Sequence, residues 1–140
     1  MATTTATVTL SSADMMDNNV SISNTATLTN QGSDTGMTKT TGLTRLTTSA
    51  VSNVVLIDSG ASGGVQTQET FTKGKIFIQN LNDRGDGTKY VTLLLQAVEI
   101  GRLYGGDWAF LPFEGGAGND VEITPSSTTD TTLEYIVFYE

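Results

Sequence analysis

Histidine and cysteine are both missing from this chain of 140 residues. Without histidine, no side chain with an ordinary pKa near neutrality is on hand as a general base; without cysteine, there is no thiolate nucleophile. The same absences remove the commonest ligands for zinc and other transition metals and exclude disulfides as a source of stability. They leave the redox compartment open, because a protein without thiols suits a reducing cytosol and an oxidising exterior equally. Long apolar runs are missing as well. Nothing approaches the roughly 18 to 20 residues that span a bilayer, and the opening MATTTATVTL lacks the basic and apolar regions of a secretion signal, so neither a leader nor a membrane partner is expected.

Basic side chains are scarce: 7 Lys and Arg stand against 15 Asp and Glu, a formal charge of -8. Such a field repels nucleic acid and anionic lipid, so nucleic acid is not expected as a partner either. The charge favours solubility, and it equally suits docking onto a surface that carries lysine or arginine. A chain of this length fits one structural domain, able to bury roughly 68% of its unfolded surface.

What is abundant is threonine, at 25 positions, 15 of them within the first 48. Its branched β-carbon suits a pleated strand with one wet face, and the stretch has too few charges and prolines to read as a disordered tract. ATVTLSS (residues 6–12) and VSISNTATL (residues 20–28) alternate apolar and hydroxyl side chains, the period of a half-buried strand. Between them ADMMDNN reads as a turn or short helical loop, and TNQGSDTGMTKTTGLT after them, punctuated by glycine, reads as an extended loop or arm. From residue 53 onward NVVLID, GKIFIQN, KYVTLLLQ, AVEIGRLY, DWAFLPF, DVEIT and TLEYIVFYE follow one another between turn-forming residues.

About nine short strands and no convincing helical stripe predict an all-β chain. The expected fold is a β-sandwich or jelly-roll-like antiparallel fold, with residues 1–48 as threonine-rich strands and arm and 49–140 as the sandwich core. YVTLLL and YIVFYE are apolar at consecutive positions, so something is expected to cover their second face, either this chain or a neighbouring subunit.

LNDRGDGTKY joins two strong strands, and its Asn82, Asp83, Gly85, Asp86 and Gly87 predict a hairpin tip. Arg84-Gly85-Asp86 matches an adhesion tripeptide, but three residues in an exposed turn match it easily by chance. The spacing of Asp83 and Asp86 does not supply the ligand ladder of an EF-hand, although oxygen ligands at such a tip leave a structural Ca²⁺ or Mg²⁺ open. Asn19-Val20-Ser21 fits the glycosylation pattern without a secretory context to support it.

With no histidine or cysteine, the catalytic arrangement left is a pair of carboxylates, and Asp107, Glu114, Asp120 and Glu122 are the candidates. Nothing in their spacing picks out a pair. In DWAFLPF, alternation puts Trp108, Phe110 and Pro112 on one face and Ala109, Leu111 and Phe113 on the other, which predicts burial on both sides and not an open cleft. Pro112 marks an edge or a bulge, and EGGAGND beyond it reads as the turn of a second hairpin without the lysine of a phosphate loop. No catalytic residue, cofactor or metal ligand is therefore assigned. Trp108, Phe110, Phe113, Tyr135 and Tyr139 are the candidates for core and subunit-interface anchors, with sugar stacking on Trp108 the other use of that ring.

Two stretches carry a family resemblance: SISNTATLTNQGSDTGMTKTTGLTRL, and EIGRLYGGDWAFLPFEGGAGNDVEITPSSTTDTTLEYIVFYE with its WxFxPxxG strand and its terminal tyrosine-rich strand. The chain resembles small virion structural proteins of tailed bacteriophages, particularly those infecting marine cyanobacteria. The resemblance implies a self-associating sandwich, commonly a trimer, attached to the major capsid protein or another virion protein. The role implied is capsid decoration on the particle exterior, with a tail, neck or fibre component as the alternative. No enzymatic activity is expected.

Overall fold

The computed structural model describes residues 4–13, 20–29, 37–49, 51–58, 71–116, 118–126, 128 and 130–140. ADMMDNN and Asn19, apart from Ala13, and most of the glycine-punctuated segment before residue 37 lie outside the described residues. The chain divides into two compact units, Met1–Thr38 and Lys39–Glu140.

The described part of the first unit is mainly a pair of β-strands. β1 (Thr5–Ser12) and β2 (Val20–Thr27) pair antiparallel, Thr5 opposite Thr27 through Ser12 opposite Val20. This register sorts the threonine-rich sequence by face. Thr5, Thr7, Thr9 and Ser11 oppose Thr27, Thr25, Ser23 and Ser21, and hydroxyls bond across the strands at 2.8 Å (Thr7 and Thr25) and 3.3 Å (Thr9 and Ser23). Alanine, valine, leucine and isoleucine take most of the other face.

The second unit is built from β3 (Lys39–Thr40), β4 (Thr44–Thr48), β5 (Val54–Asp58), β6 (Lys73–Asn80), β7 (Val91–Leu95), β8 (Val98–Leu103), β9 (Trp108–Glu114), β10 (Asp120–Pro125) and β11 (Thr131–Tyr139). Every pairing is antiparallel. One sheet has the order β5-β10-β7-β8; the other runs β3-β11-β6-β9, with β4 also on β11. Taken as β4 to β11, the sheets read 4-11-6-9 and 5-10-7-8. Each connection except that from β7 to β8 therefore passes from one sheet to the other, which is the winding of a jelly roll.

The core lies between these sheets. Along β6 and β11 every second residue is buried, and Ile76, Ile78, Leu133, Tyr135, Val137 and Tyr139 meet Leu56, Ile57, Val91, Leu93, Val121 and Ile123 from the opposite sheet. Each fully buried aliphatic chain contributes about 1.5–3 kcal/mol relative to exposure. Consecutive buried residues in β5 have a local cause in an irregular register. Val121 pairs with Ile57 while Glu122 pairs with Val55, so Leu56 is the extra residue of a bulge and turns inward beside Ile57. In the same way Ile100 is extra between the Leu93–Gly101 and Leu94–Glu99 pairs.

Two expected hairpins are corrected. Residues 81–90 connect β6 to β7 and residues 115–119 connect β9 to β10, and in both cases the strands belong to different sheets. Asn, Asp and Gly report that the chain reverses; they do not say which strand the returning segment will pair with. The hairpin within this unit is at Gln96 and Ala97, with φ of 52° and 61°, two left-handed residues without glycine or asparagine. The Gln96 N–H is fixed by the Asp120 carbonyl at 2.9 Å.

Within the segment expected as an extended loop or arm, Lys39–Thr40 forms β3 and Thr44 begins β4. β3 and β4 share one edge of β11, interrupted where Gly42 turns with φ of 73°. At the interruption the Thr41 N–H donates to the Val137 carbonyl at 3.0 Å, and the Val137 N–H donates to the Thr41 hydroxyl at 3.1 Å. A side-chain oxygen thus replaces the missing ladder acceptor. At the opposite edge, β9 pairs with β6 alone and carries Pro112, as a strand edge permits.

Candidate functional site

The outward face of the larger sheet gathers aromatic side chains that the core does not use. Its geometry follows from register. Arg45, Glu134, Gln79 and Trp108 lie in one row across β4, β11, β6 and β9; Ile136, Phe77 and Phe110 form the next; Thr40, Phe138, Lys75 and Pro112 form the third. Lys73 and Glu114 begin a fourth row, and the Lys73 ammonium meets Glu140 at 2.9 Å. On β6 and β11 these positions alternate with buried residues, and on β4 and β9 with residues partly buried against the core, so they point away from it.

The middle of this field is apolar apart from Lys75, and its two ends are charged. The Phe77 and Trp108 rings lie 6.2 Å apart at 31°. Arg45 is ion-paired with Glu134, its Nε donating at 2.9 Å, at one end, and Lys73 with Glu140 at the other. Exposed pairs of this kind add little stability, at most about 1 kcal/mol each. An apolar centre with a polar rim is the anatomy of a protein–protein contact surface.

The five anchor residues named from the sequence divide between two places. Trp108, 49% exposed, and Phe110, half-buried, lie on this outward face. Phe113, Tyr135 and Tyr139 belong to the sandwich interior. Phe113 packs edge-on to Phe71 at 5.6 Å, Tyr139 lies 4.8 Å from the same ring, and the Tyr135 hydroxyl donates to the Leu56 carbonyl at 3.5 Å. The split of β9 into two faces agrees with the sequence reading, but burial on both sides does not, because the half-exposed Trp108 and the exposed Pro112 stand at the sheet margin. Phe77, Ile136 and Phe138 were not among the named candidates. Their signal was present in the uninterrupted apolar runs of GKIFIQN and YIVFYE, once those are read at every second position.

The four candidate carboxylates do not come together as one group. Asp107 and Glu114 flank the two ends of β9, about 23 Å apart at strand spacing, far beyond the separations used in glycoside hydrolysis. Asp107 accepts from the Tyr104 N–H at 3.0 Å and pairs with Arg84. Asp120 and Glu122 alternate with buried Val121 on β10 in the smaller sheet, where Glu122 accepts from the Asn53 amide at 2.9 Å. Among the described residues no three acidic side chains group as a metal site.

The Arg84-Gly85-Asp86 segment is organised by its own side chains. Asp83 caps the Gly85 N–H at 2.8 Å and Asp86 caps the Thr88 N–H at 3.1 Å. The Asp86 carboxyl is held below its ordinary value, first by the Thr88 hydroxyl, then by the Thr88 N–H, with Lys89 adding a smaller attraction. Both charged groups of the tripeptide therefore have partners in the loop or beside it. In comparisons with protein-family models and with curated proteins, no match to the chain is found.

Proposed function

We propose that this protein is a structural component of a tailed-phage virion, in first place a capsid decoration protein that self-associates, commonly as a trimer, and stabilises the assembled shell from outside. It acts through the shape and adhesion of a folded β surface and makes or breaks no bonds. The observation that carries the reading is the outward apolar field of Trp108, Phe110, Phe77, Ile136 and Phe138 between two charged ends. A jelly roll is a rigid support for such a field, and aromatic side chains supply much of the energy of protein contacts. The formal charge of -8 fits a basic surface on the major capsid protein or another virion protein. Binding only the assembled lattice would stabilise it by about 2.7 kcal/mol per site at a free concentration 100 times Kd.

The test is co-sedimentation of the purified protein with particles stripped of it. Wild type should saturate at a copy number in the hundreds, and Phe110→Asp should reduce binding at least tenfold while the sandwich unfolds at an unchanged temperature. Binding that Phe110→Asp leaves intact would remove this face from the proposal, and a copy number of a few to a dozen would move the protein to the tail, neck or fibre. The half-exposed Trp108 ring favours one further reading, a glycan-binding module, for which sugar affinity lost in a folded Trp108→Ala protein is the signature.

A further inference from the structure

The ribbon of β1 and β2 has two unlike faces, and only one of them is suited to water. Across the ribbon from the hydroxyl ladder, Ala6 opposes Ala26, Val8 opposes Asn24, Leu10 opposes Ile22 and Ser12 opposes Val20. The Leu10 and Ile22 pair is 58% and 55% exposed. A two-stranded ribbon is marginally stable at best in water unless its hydrophobic face is packed against something, and the hydroxyl face answers only half of that need.

Charge identifies what can pack there. Residues 4–13 and 20–29 contain no Lys, Arg, Asp or Glu, although the whole chain carries a formal charge of -8. Two copies of an acidic chain repel each other, and most surfaces would bring like charges together. A surface without charge is the one through which identical chains can meet at the least electrostatic cost, and an apolar one gives them a reason to do so.

We infer that the Leu10 and Ile22 face of the ribbon is the self-association surface, packing against the same face of a second copy of this chain. This deepens the self-association proposed above by naming its surface, and it assigns the outward field of the larger sheet to a different partner. A contact between identical faces is self-complementary and two-fold, so it pairs copies as a dimer where the resemblance implied a trimer, with Leu10 and Ile22 placed against their counterparts.

The experiment measures the mass of the full-length chain in solution by light scattering across a concentration series, at low and high salt. Wild type should have twice the mass of the 14.8 kDa chain, and association should tighten with salt, as repulsion between acidic copies is screened. Leu10→Asp with Ile22→Asp should give the monomer mass. The milder Leu10→Thr with Ile22→Thr, which keeps strand-forming side chains, should weaken association at least tenfold and serves if the first variant misfolds. Thr7→Asp on the hydroxyl face and Phe110→Asp on the sandwich should keep the oligomer. A wild-type monomer, an oligomer that survives both Leu10 and Ile22 variants, or one abolished by Phe110→Asp would each overturn the inference. Particle binding is read separately: a monomer that still saturates particles overturns this inference alone, and an oligomer that binds none overturns the virion reading alone.

Discussion

The side-chain amide of Asn80, the last residue of β6 in one sheet, donates to the carbonyl of Leu103, the last residue of β8 in the other, at 3.0 Å. The same Nδ2 donates to the Lys89 carbonyl at 2.9 Å, and Oδ1 accepts from the Asn82 N–H at 3.0 Å and from its amide at 2.6 Å. Asn80 is fully buried, and these four bonds use the full capacity of its amide. It ties the ends of both sheets to the loop that crosses between them.

Asn80→Asp should therefore be severely destabilising. It puts an acceptor where two carbonyls need a donor, and a buried, unpaired charge there should cost at least about 3 kcal/mol. A protonated carboxyl can still donate once, so the loss should be smaller in acid and grow as pH rises. Urea unfolding of the variant from pH 3 to pH 7 measures both effects, and a pH-independent loss would contradict this account of the site.

Ala97→Gly should stabilise. Ala97 sits at a φ of 61° with a Cβ that the left-handed region disfavours, and relief of that crowding exceeds the entropy glycine adds to the unfolded chain, for a net gain of about 0.5–1 kcal/mol. The readout is a higher urea midpoint at unchanged slope.

Gly74 and Phe113 should prove coupled. They are cross-strand partners, and a Cβ on Gly74 would stand 2.7 Å from the Phe113 ring. Gly74→Ala should cost about 1–3 kcal/mol alone, and less when Phe113 has already been shortened to Leu. A double-mutant cycle in chemical denaturation reads the coupling; strict additivity would show that the ring has room to move.

Asp86 should titrate below the ordinary aspartate value of 3.8, because the Thr88 hydroxyl stabilises its charged form. A carboxyl whose folded pKa is depressed contributes its full stabilisation above the unfolded value and loses it as pH falls through the folded one. The stabilisation is thus fully present at neutrality, and its loss is confined to pH below about 4. Thr88→Val should move the Asp86 titration upward, toward 3.8, in side-chain NMR.

Tyr135→Ala and Trp108→Ala should separate the interior from the outward field. Tyr135 has 0% of its surface exposed, and its truncation should cost about 3–5 kcal/mol by the cavity it leaves. Truncation of the half-exposed Trp108 should cost far less, and paired thermal unfolding curves show the difference.

Alternation made most of the sandwich legible in the sequence, and it placed Trp108, Phe110 and Pro112 on one side of β9 with Phe113 on the other. It failed at β4, whose TRLTT offers one large apolar residue, Leu46, and whose pairing with β11 depends on residues more than eighty positions away. It also failed at Leu56, because a bulge changes which face a residue takes and depends on the partner strand. The role of Asn80 was hidden for a related reason: beside Asn82, Asp83 and Gly85 it reads as one more turn residue, and of its carbonyl partners Leu103 belongs to a distant strand while Lys89 lies at the far end of the loop. The outward field was only half visible, since β9 exposes its two-faced pattern while Phe77 and Phe138 sit in runs that read as simple core.

Placing β11 between β4 and β6 has a consequence for how the molecule is made. Leu46 and Asn80 both wait for Leu133, so a chain emerging from its N-terminus has half of its larger sheet without a centre until synthesis passes residue 139. Closure must span long sequence separations, and folding of this kind runs in milliseconds to seconds and not microseconds. Until then the apolar sides of β4 and β6 are open to water, and crowded synthesis is when this protein is most exposed to mispairing with its own kind.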